Sequence, residues 1–594
     1  MIAVKNRSNM ELEVLYLGNA ISLSQEILNA SNRGRGDEMD TYFDLGGHSF
    51  PVTTQSNEAQ KWFDRGLLWT YGYNHEEAVM CFERAIDADP KCAMAHWGAG
   101  YAVGPNYNMP WDLFDDAGRA TAARAGFDHA RKALDLIDSV TGWEAALIQA
   151  LPARHPQPDP LEPEAMKAWD ADFADAMRNG FAAHPESHEV RTVFAEALLN
   201  LTPWKMWDLP SGKPAAGART VEAQTVLEEA LEGDPSAMQH PGLLHLYVHL
   251  MEMSPFPEKA LKAGDALRRL VPDAGHLIHM PTHVDVLCGH YQNVVDWNEA
   301  AIEADLKFYE ERGAFNLYTG YRLHNYHFVI YGAMFLGQFE PAMRAVQGMA
   351  ETIPEEMLRM ESPPMADYFE SYLSFGPHVL VRFGRWREAT QLELPDDPEL
   401  YCTQAAHVHY ARAVGHAALG EVDAALSEEG LFHAAIARVP ESRILHNNTV
   451  VDLLAIGSEM LRGEILYRQA KYDEAYAALR QAIAFEDTLP YDEPWGWMQP
   501  ARHALGALLL EQGHTDEAEA VFREDLGLGG QLARATIHPD NVWALKGLHD
   551  CLKARGETVE IVQVRQRLDL AQARADSAIA ASCFCAQIAM RAAD

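Results

Sequence analysis

The chain has 594 residues and a formal net charge of −38, with 86 acidic side chains against 48 lysines and arginines. Such a charge repels phosphate groups, so it argues against a nucleic-acid partner and against an anionic membrane surface. Hydrophobic residues make up 48% of the chain, which is enough for a large core. The sequence contains no run of 18 apolar residues, so we predict no membrane-spanning helix. Seven scattered cysteines and the lack of a convincing secretory signal predict a cytoplasmic protein.

The N-terminal residues 1–45 are polar and rich in Gly, Asn and Arg around Ser31–Glu38. They predict a loosely ordered extension before the first clear pattern. That pattern occupies residues 59–90, where large and small residues recur at fixed places of a 34-residue unit. Positions 4, 8, 20, 24, 27 and 32 of the unit hold Trp62, Gly66, Ala78, Phe82, Ala85 and Pro90.

This spacing resembles the tetratricopeptide repeat (TPR) family. Small residues at positions 8 and 20 let two helices approach closely, large residues at 4 and 24 fill the space beside them, and the proline ends the second helix. The small residue of position 20 recurs along the chain. We find it at Ala223, Ala260, Val294, Ala342, Ala389, Ala425, Ala475 and Ala518.

The recurrence predicts one helical array over residues 46–562, followed by a C-terminal segment, 563–594, with a Cys-x-Cys pair. The fold class is therefore all-α. The resemblance implies a TPR-like α-solenoid, a right-handed superhelix of antiparallel helix pairs with a concave ligand groove. The segments GHLIHMPTH, LHNYH and LPYDEPWGW are also similar to those of a group of large, His-rich bacterial TPR-domain proteins to which we assign no activity.

Histidine is the unusual residue of this chain, with 26 in 594 residues, or 4.4%. Nine lie between residues 240 and 327, where 88 residues at that frequency would hold about four. The resemblance implies that positions 2, 5, 9 and 12 of the first helix of each repeat line the groove. Counting from Ala260, Val294 and Ala342 as position 20 puts eight residues there: His245, His249, Glu252, His276, His279, His283, His324 and His327.

The i, i+4 spacing of His245 with His249, and of His279 with His283, places each pair on one helix face. Clustered imidazoles beside a carboxylate suit Zn, Fe, Cu, Ni or Mn, so the cluster predicts a transition-metal site. A pH-sensitive or ligand-binding polar groove is the alternative. The soft thiols of Cys583 and Cys585 are further candidate ligands if the C-terminal segment folds back.

Two functions are compatible with these patterns. The first is a metalloenzyme that acts on a small-molecule substrate in the groove, with Tyr321 and Asn325 as candidate catalytic or substrate-positioning residues. The second is a non-catalytic TPR scaffold that binds a peptide or small ligand, or a metal sensor or store. The chain has no Walker loop, no Gly-x-Gly-x-x-Gly after a strand, no Gly-x-Ser-x-Gly and no kinase signature, so none of these motifs supports an enzyme class.

Overall fold

The computed structural model describes residues 42–530 and 532–586. Regular structure in these residues is almost entirely α-helical. The exceptions are two antiparallel hairpins of two-residue strands, which pair β1 (Trp207–Asp208) with β2 (Lys213–Pro214) and β3 (Ile444–Leu445) with β4 (Asn448–Thr449). In the part of the chain described here, no helix is long and apolar enough to cross a membrane.

The chain divides into two compact units. The first runs to Pro203 and resumes at Ala218–Leu246, and the second contains Trp204–Gly217 and the residues from Tyr247 onward. The helices of the first unit are α1 (Asn57–Tyr71), α2 (His75–Ala88), α3 (Ala93–Ala102), α4 (Asp116–Asp135), α5 (Gly142–Arg154), α6 (Pro163–Ala183), α7 (His188–Leu199) and α8 (Thr220–Gly233). The division falls within α9 (Pro241–Glu252).

The second unit continues with short helices and then with longer pairs. Its helices are α10 (Leu261–Leu267), α11 (Gly275–His279), α12 (Pro281–Leu287), α13 (Tyr291–Arg312), α14 (Thr319–Leu336), α15 (Phe339–Glu351), α16 (Glu355–Leu358), α17 (Met365–Phe369), α18 (Phe375–Arg382), α19 (Trp386–Thr390), α20 (Cys402–Ala418), α21 (Val422–Ile436), α22 (Val450–Arg468), α23 (Tyr472–Glu486), α24 (Ala501–Glu511), α25 (Thr515–Asp525), α26 (Val542–Ala554) and α27 (Glu560–Gln572). Short 3-10 turns occupy Trp111–Leu113, Ile137–Ser139, Pro235–Gln239, Pro257–Ala260, Glu370–Ser374 and Arg534–Thr536.

Two sets of three consecutive helices pack through an aromatic ring set against glycine. A Cβ atom added at Gly66 of α1 or Gly98 of α3 would come within 2.7 or 2.4 Å of the Phe82 ring on α2. In the second unit, the Phe522 ring of α25 takes the same position between α24 and α26. Position 8 and position 24 of the repeat pattern therefore meet as the sequence predicts, and the all-α, TPR-like α-solenoid fold is confirmed.

The histidine-rich segment departs from the single helix expected there. It forms α11 and α12, which meet at Met280, because Pro281 has no N–H group to continue the helical hydrogen bonds. The backbone of Met280 keeps helical angles, with φ −47° and ψ −42°. His279 and His283 therefore still face the same side of the segment, one on each side of the break.

Residues 1–41 lie outside the described part of the chain, so most of the extension predicted for 1–45 does too. The described end of that segment packs on the first helix pair. The Tyr42 hydroxyl donates to Glu77 Oε1 at 2.7 Å, Trp69 Nε1 donates to the Tyr42 oxygen at 2.8 Å, and Leu45 is buried.

The C-terminal segment packs back onto the second unit. Asp576 accepts hydrogen bonds from the backbone N–H groups of Phe339 and Glu340, at 2.7 and 2.9 Å, and so caps the start of α15. Further on, a disulfide joins Cys583 and Cys585. A disulfide sulfur is not a thiolate, so in this oxidised state the pair does not supply the soft ligands that the sequence predicts.

The glycine–phenylalanine contacts make a testable prediction. Gly506→Ala puts a methyl group within 2.4 Å of the Phe522 ring, which is fully buried and lies equally close to Gly547 on α26. We expect it to lower the free energy of unfolding by about 1–3 kcal/mol, measured as a lower urea midpoint. Gly430→Ala is the matched control, because nothing lies within 4 Å of that helical glycine; it should raise stability by up to about 1 kcal/mol. Equal effects of the two substitutions would contradict the packing argument.

Candidate metal centre

Two imidazoles in contact form the middle of a buried histidine cluster in the second unit. The Nε2 atoms of His279 and His283 lie 2.6 Å apart. His279 Nδ1 lies 2.6 Å from Asn298 Oδ1, and His283 Nδ1 lies 2.6 Å from Glu252 Oε2 and 3.1 Å from Glu493 Oε2. Because these oxygens accept hydrogen bonds, each ring carries its proton on Nδ1. Two Nε2 lone pairs would then face each other unless the two nitrogens share a proton or would both bind a metal ion.

The Asn298 side chain is held in the orientation that this arrangement requires. Its Nδ2 donates to Thr282 Oγ1 at 3.0 Å and to the Val294 carbonyl at 2.7 Å. With both amide hydrogens used, the oxygen is the atom turned toward His279. The hydrogen bond from His279 Nδ1 is thus fixed by a second layer of contacts, and the ring cannot easily exchange its two nitrogens.

The two carboxyl groups beside His283 ionise differently. Burial and the neighbouring Glu493 raise the pKa of Glu252 well above its ordinary value. Burial also opposes ionisation of Glu493, but the adjacent His283 outweighs it and lowers the pKa of Glu493. Burial likewise disfavours a charge on His283, yet Glu493 and Glu252 outweigh it and raise the pKa of His283 to about 9. Without a metal, the His283 imidazole therefore holds a proton at neutral pH, and Glu252 is harder to ionise than Glu493.

His324 is the third imidazole of the centre. Ring nitrogens of His279, His283 and His324 all lie within 4.8 Å of one another, and all three side chains are buried. Burial, followed by the neighbouring histidines, lowers the pKa of His324 well below its ordinary value. Burial and His283 do the same to His279. Both rings are therefore neutral, which is the form that coordinates a metal ion.

A hydrogen-bonded chain of polar side chains reaches His324 from the β3–β4 hairpin. His446 Nε2 lies 3.0 Å from His324 Nδ1 and in close contact with the Tyr372 hydroxyl, and His446 Nδ1 lies 3.3 Å from Asp492 Oδ1. His446 has a φ of +50°, a left-handed conformation that residues other than glycine rarely adopt. His446 is the first residue of the two-residue turn between β3 and β4, a place where tight hairpins require such a conformation.

The other residues of the second unit that the sequence predicts as ligands lie at different distances from His279 and His283. His249 Nδ1 donates to Glu252 Oε1 at 2.9 Å, so it adjoins the centre. The His276 ring lies 4.3 Å from the Tyr321 ring, and 6.0 Å from that of His279.

His327 and Asn325 lie on α14 with His324. A ring nitrogen of His327 lies within 4.8 Å of those of His324 and His446, and both His327 and Asn325 also have partners of their own. His327 Nε2 lies 3.2 Å from the sulfur of Met498, and its ring stacks on Phe375 at 4.3 Å. Asn325 Nδ2 donates to Asp305 Oδ2 at 2.7 Å. Asn325 is therefore engaged in joining α14 to α13, a structural contact rather than one with the histidine cluster.

His245 belongs to the first unit. Its Nδ1 donates to the Tyr71 carbonyl at 2.7 Å, and its ring lies 4.6 Å from that of Tyr73. These contacts fix the ring against the turn between α1 and α2. The expected row of His245, His279 and His327 along one groove stays a prediction.

Sequence reasoning missed Glu493, Asp492, His446 and Tyr372. None of these residues lies on the first helix of a repeat; three of them lie in loops, and Tyr372 is in a 3-10 turn. Two sequence features could have pointed to three of these residues. Asp492 and Glu493 belong to the segment LPYDEPWGW, and His446 belongs to Leu-His-Asn-Asn, where Asn residues favour a tight turn.

A separate buried network in the second unit is structural. Asp525 accepts hydrogen bonds from His503 Nε2 at 2.9 Å, His538 Nδ1 at 2.8 Å and Asn541 Nδ2 at 2.9 Å. Arg382 donates to the other nitrogen of His503 at 2.9 Å. Burial opposes ionisation of Asp525, but His503 and His538 outweigh it and lower its pKa. Both nitrogens of His503 are engaged, so this ring offers no position for a ligand.

Comparison with known proteins gives only remote likenesses. No protein-family model matches the chain, and no curated protein matches it. Among solved structures, it is similar to that of the APC/C hetero-tetramer Cut9-Hcn1, with a TM-score of 0.29 and 13% identity over 93% of this chain and 81% of that chain. For the yeast Tom70 the TM-score is 0.27, with 12% identity over 87% of this chain and 96% of that chain. For Naa15/Naa10 bound to HypK-THB it is 0.19, with 12% identity over 90% and 74%. At such values the likeness says nothing about ligands or activity.

The Asp525 network predicts how stability depends on pH. Its carboxyl has a lower pKa in the folded chain than in the unfolded chain, where the value is about 4. Its contribution is therefore complete above about pH 5 and is lost as the pH falls below 4. Asp525→Asn should lower the free energy of unfolding at neutral pH by about 3 kcal/mol and flatten its decline in acid, measured by urea unfolding at a series of pH values. The exposed Asp396→Asn is the control. A variant with unchanged acid sensitivity would refute the assignment.

Proposed function

We propose that this protein binds a transition-metal ion at the cluster of His279, His283 and His324, and that it uses the ion to act on a small molecule. One observation carries the proposal: two buried imidazoles have their Nδ1 protons committed to Asn298 and Glu252 and direct their Nε2 atoms at each other. Nothing in apolar packing requires this arrangement, since facing lone pairs repel. The proton of His283 removes that repulsion at neutral pH, and a metal ion bound by both Nε2 atoms would take the place of this proton.

The residues present fit a metal ion in their chemistry. Metal-binding histidines usually donate their second N–H to a carboxylate or a carbonyl oxygen, which fixes the tautomer and orients the ring. Asn298 serves His279 in this way, and Glu252 with Glu493 serves His283. Neutral imidazoles with carboxylates nearby suit Zn, Cu, Fe or Mn, in agreement with the ligand types that the sequence favours.

A bound ion would act as a Lewis acid or would lower the pKa of a bound water. The side chains around it can supply the proton transfers. The pKa of Glu252 is raised and that of Glu493 is lowered, so Glu252 is the one suited to donate a proton and Glu493 the one suited to accept it. The Tyr372, His446 and Asp492 side chains form a hydrogen-bonded chain that ends at His324 and could carry a proton away from the cluster.

Two other functions use the same fold without turnover: a scaffold for a peptide or small ligand, and a metal sensor or store. The scaffold needs no metal at the cluster, whereas the sensor or store binds metal without converting a substrate. Metal content separates the scaffold from the other two functions. Turnover by the metal-loaded protein then separates the enzyme from the sensor.

The metal proposal predicts the composition of the purified protein. The full chain, supplied with Zn, Cu, Fe and Mn, should contain near-stoichiometric transition metal by elemental analysis. Replacing both His279 and His283 with Ala should remove at least one equivalent, because it deletes both facing Nε2 atoms, while circular dichroism reports an unchanged helix content. A double variant of His416 and His433, which lie outside the cluster in the same unit, should keep its metal. If the wild-type protein contains no metal after any of the four metals has been supplied, the metal proposal is wrong and the scaffold function remains.

The proposal also predicts a pH dependence of metal binding. Because the pKa of His283 is raised to about 9, a metal ion must displace its proton at neutral pH. The apparent affinity should fall about tenfold for each unit of pH decrease between about pH 8 and pH 6, as expected for competition with one proton. Calorimetry in buffers of different ionisation enthalpy should detect the released proton. An affinity independent of pH would exclude His283 as a ligand.

A further inference from the structure

A second polar site lies in the first unit, apart from the histidine cluster of the second. It is a cleft of about 540 Å³ that contains His48, Glu189, His240 and Trp143 in its lining. Its walls carry three carboxylates, those of Glu186, Glu189 and Asp234, but no lysine or arginine. The site uses residues from the start of α7, the start of α5 and the segment before α9.

Glu189 is the central group of this cleft. Its side chain is only 10% exposed, yet no N–H or O–H group of the described residues donates a hydrogen bond to its carboxylate. The two nearest ring nitrogens are His240 Nε2 at 3.4 Å and His48 Nε2 at 3.7 Å, and neither of them makes a hydrogen bond with the carboxylate. A buried carboxylate without donors is costly, so a cationic partner from outside the chain would stabilise it.

The imidazoles beside Glu189 do not supply that positive charge. Burial, then the neighbouring His240, lowers the pKa of His48 to about 4, so this ring is neutral at pH 7. The Leu243 backbone N–H donates to His240 Nδ1 at 3.2 Å, which requires a lone pair on Nδ1 and therefore puts the ring's proton on Nε2. His240 Nε2, buried and without a hydrogen-bond partner, thus directs an N–H group into the cleft.

The same tautomer argues against a metal ion here. Glu189, His48 and His240 have atoms close enough to hold one. However, an Nε2 that carries a proton cannot coordinate a metal. Only one imidazole and one carboxylate remain, fewer than the three or four protein ligands that transition-metal sites use. The cleft is also far larger than a metal ion requires.

Aromatic rings add a second feature that suits an organic cation. The Trp143 and Phe50 rings line the cleft with centroids 4.3 Å apart. An alkylammonium or guanidinium group is attracted to the face of an aromatic ring, most strongly to that of Trp. Its N–H groups can at the same time donate to a carboxylate, and a guanidinium can do so through two parallel hydrogen bonds.

We propose that this cleft binds an organic cation, an alkylammonium or guanidinium group, with Glu189 as its counter-ion and Trp143 as its aromatic wall. The cation belongs either to a free small molecule or to a lysine or arginine side chain of a peptide. The site is independent of the metal centre, since the two share no residue. It gives the first unit a binding function of its own.

The test measures binding of four probes to the full chain by calorimetry and ligand-observed NMR at moderate salt: Nα-acetyl-arginine methyl ester, Nα-acetyl-lysine methyl ester, the neutral Nα-acetyl-norleucine methyl ester, and agmatine. We expect the cationic probes to bind and the norleucine ester not to bind. A preference for agmatine over the acetylated esters points to a free ligand, and the reverse points to a peptide side chain.

Glu189→Gln should weaken binding of the preferred cation at least tenfold. Glu232→Gln, which removes the same charge from an exposed position of the first unit, should leave binding unchanged. Trp143→Leu, which keeps an apolar wall without the aromatic face, should weaken binding even if Glu189→Gln disturbs the fold. The proposal is overturned if the neutral ester binds as well as the cations, if Glu189→Gln and Glu232→Gln behave alike, or if a transition metal binds here and is lost in His240→Ala.

Discussion

The close approach of neighbouring helices over a phenylalanine ring is the contact on which the helical array depends. Phe82 and Phe522 each fill the space that glycines leave on the two flanking helices. Because a helix pair cannot cover its own apolar face, each pair is stable only when it stacks on the next. This constraint fixes which helix face is buried. It also explains how polar residues such as His279 and His283 come to be buried at all.

Burying imidazoles and carboxylates is unfavourable unless each polar atom finds a partner. The second unit solves this problem in two ways. Around Asp525, every donor meets the carboxylate or another acceptor, and the result is a closed structural network. Around His279 and His283 the outer nitrogens are satisfied, but the inner ones face each other and need a cation. Histidines and carboxylates therefore stabilise the fold around Asp525, whereas around His279 and His283 they form the proposed metal site.

The position of a proton on each ring separates these roles. Asn298 places the proton of His279 on Nδ1 and leaves Nε2 as a ligand atom, whereas the Leu243 amide places that of His240 on Nε2 and removes it as one. A histidine with a carboxylate nearby thus fits the metal ion proposed for the second unit and the organic cation proposed for the first. The number of histidines does not distinguish a metal site from an organic-cation site. The hydrogen bond made by Nδ1 does, because it decides whether Nε2 carries a proton.

The sequence by itself determined the helical repeat, since the spacing of Gly66, Phe82 and their later counterparts follows from the geometry of packed helices. It also singled out the histidines of α9 to α14, because an excess at regular spacing marks one helix face; that these histidines are buried is seen only in the structure. The tertiary structure alone decided which of them meet, since Pro281 breaks the expected helix and His245 turns to the Tyr71 carbonyl. It also decided that Glu493 and His446, which lie in loops about 160 to 210 residues farther along the chain than His283, complete the centre. Loops follow no period, so no pattern in the sequence assigns such residues to a site; only the folding of the chain brings them there.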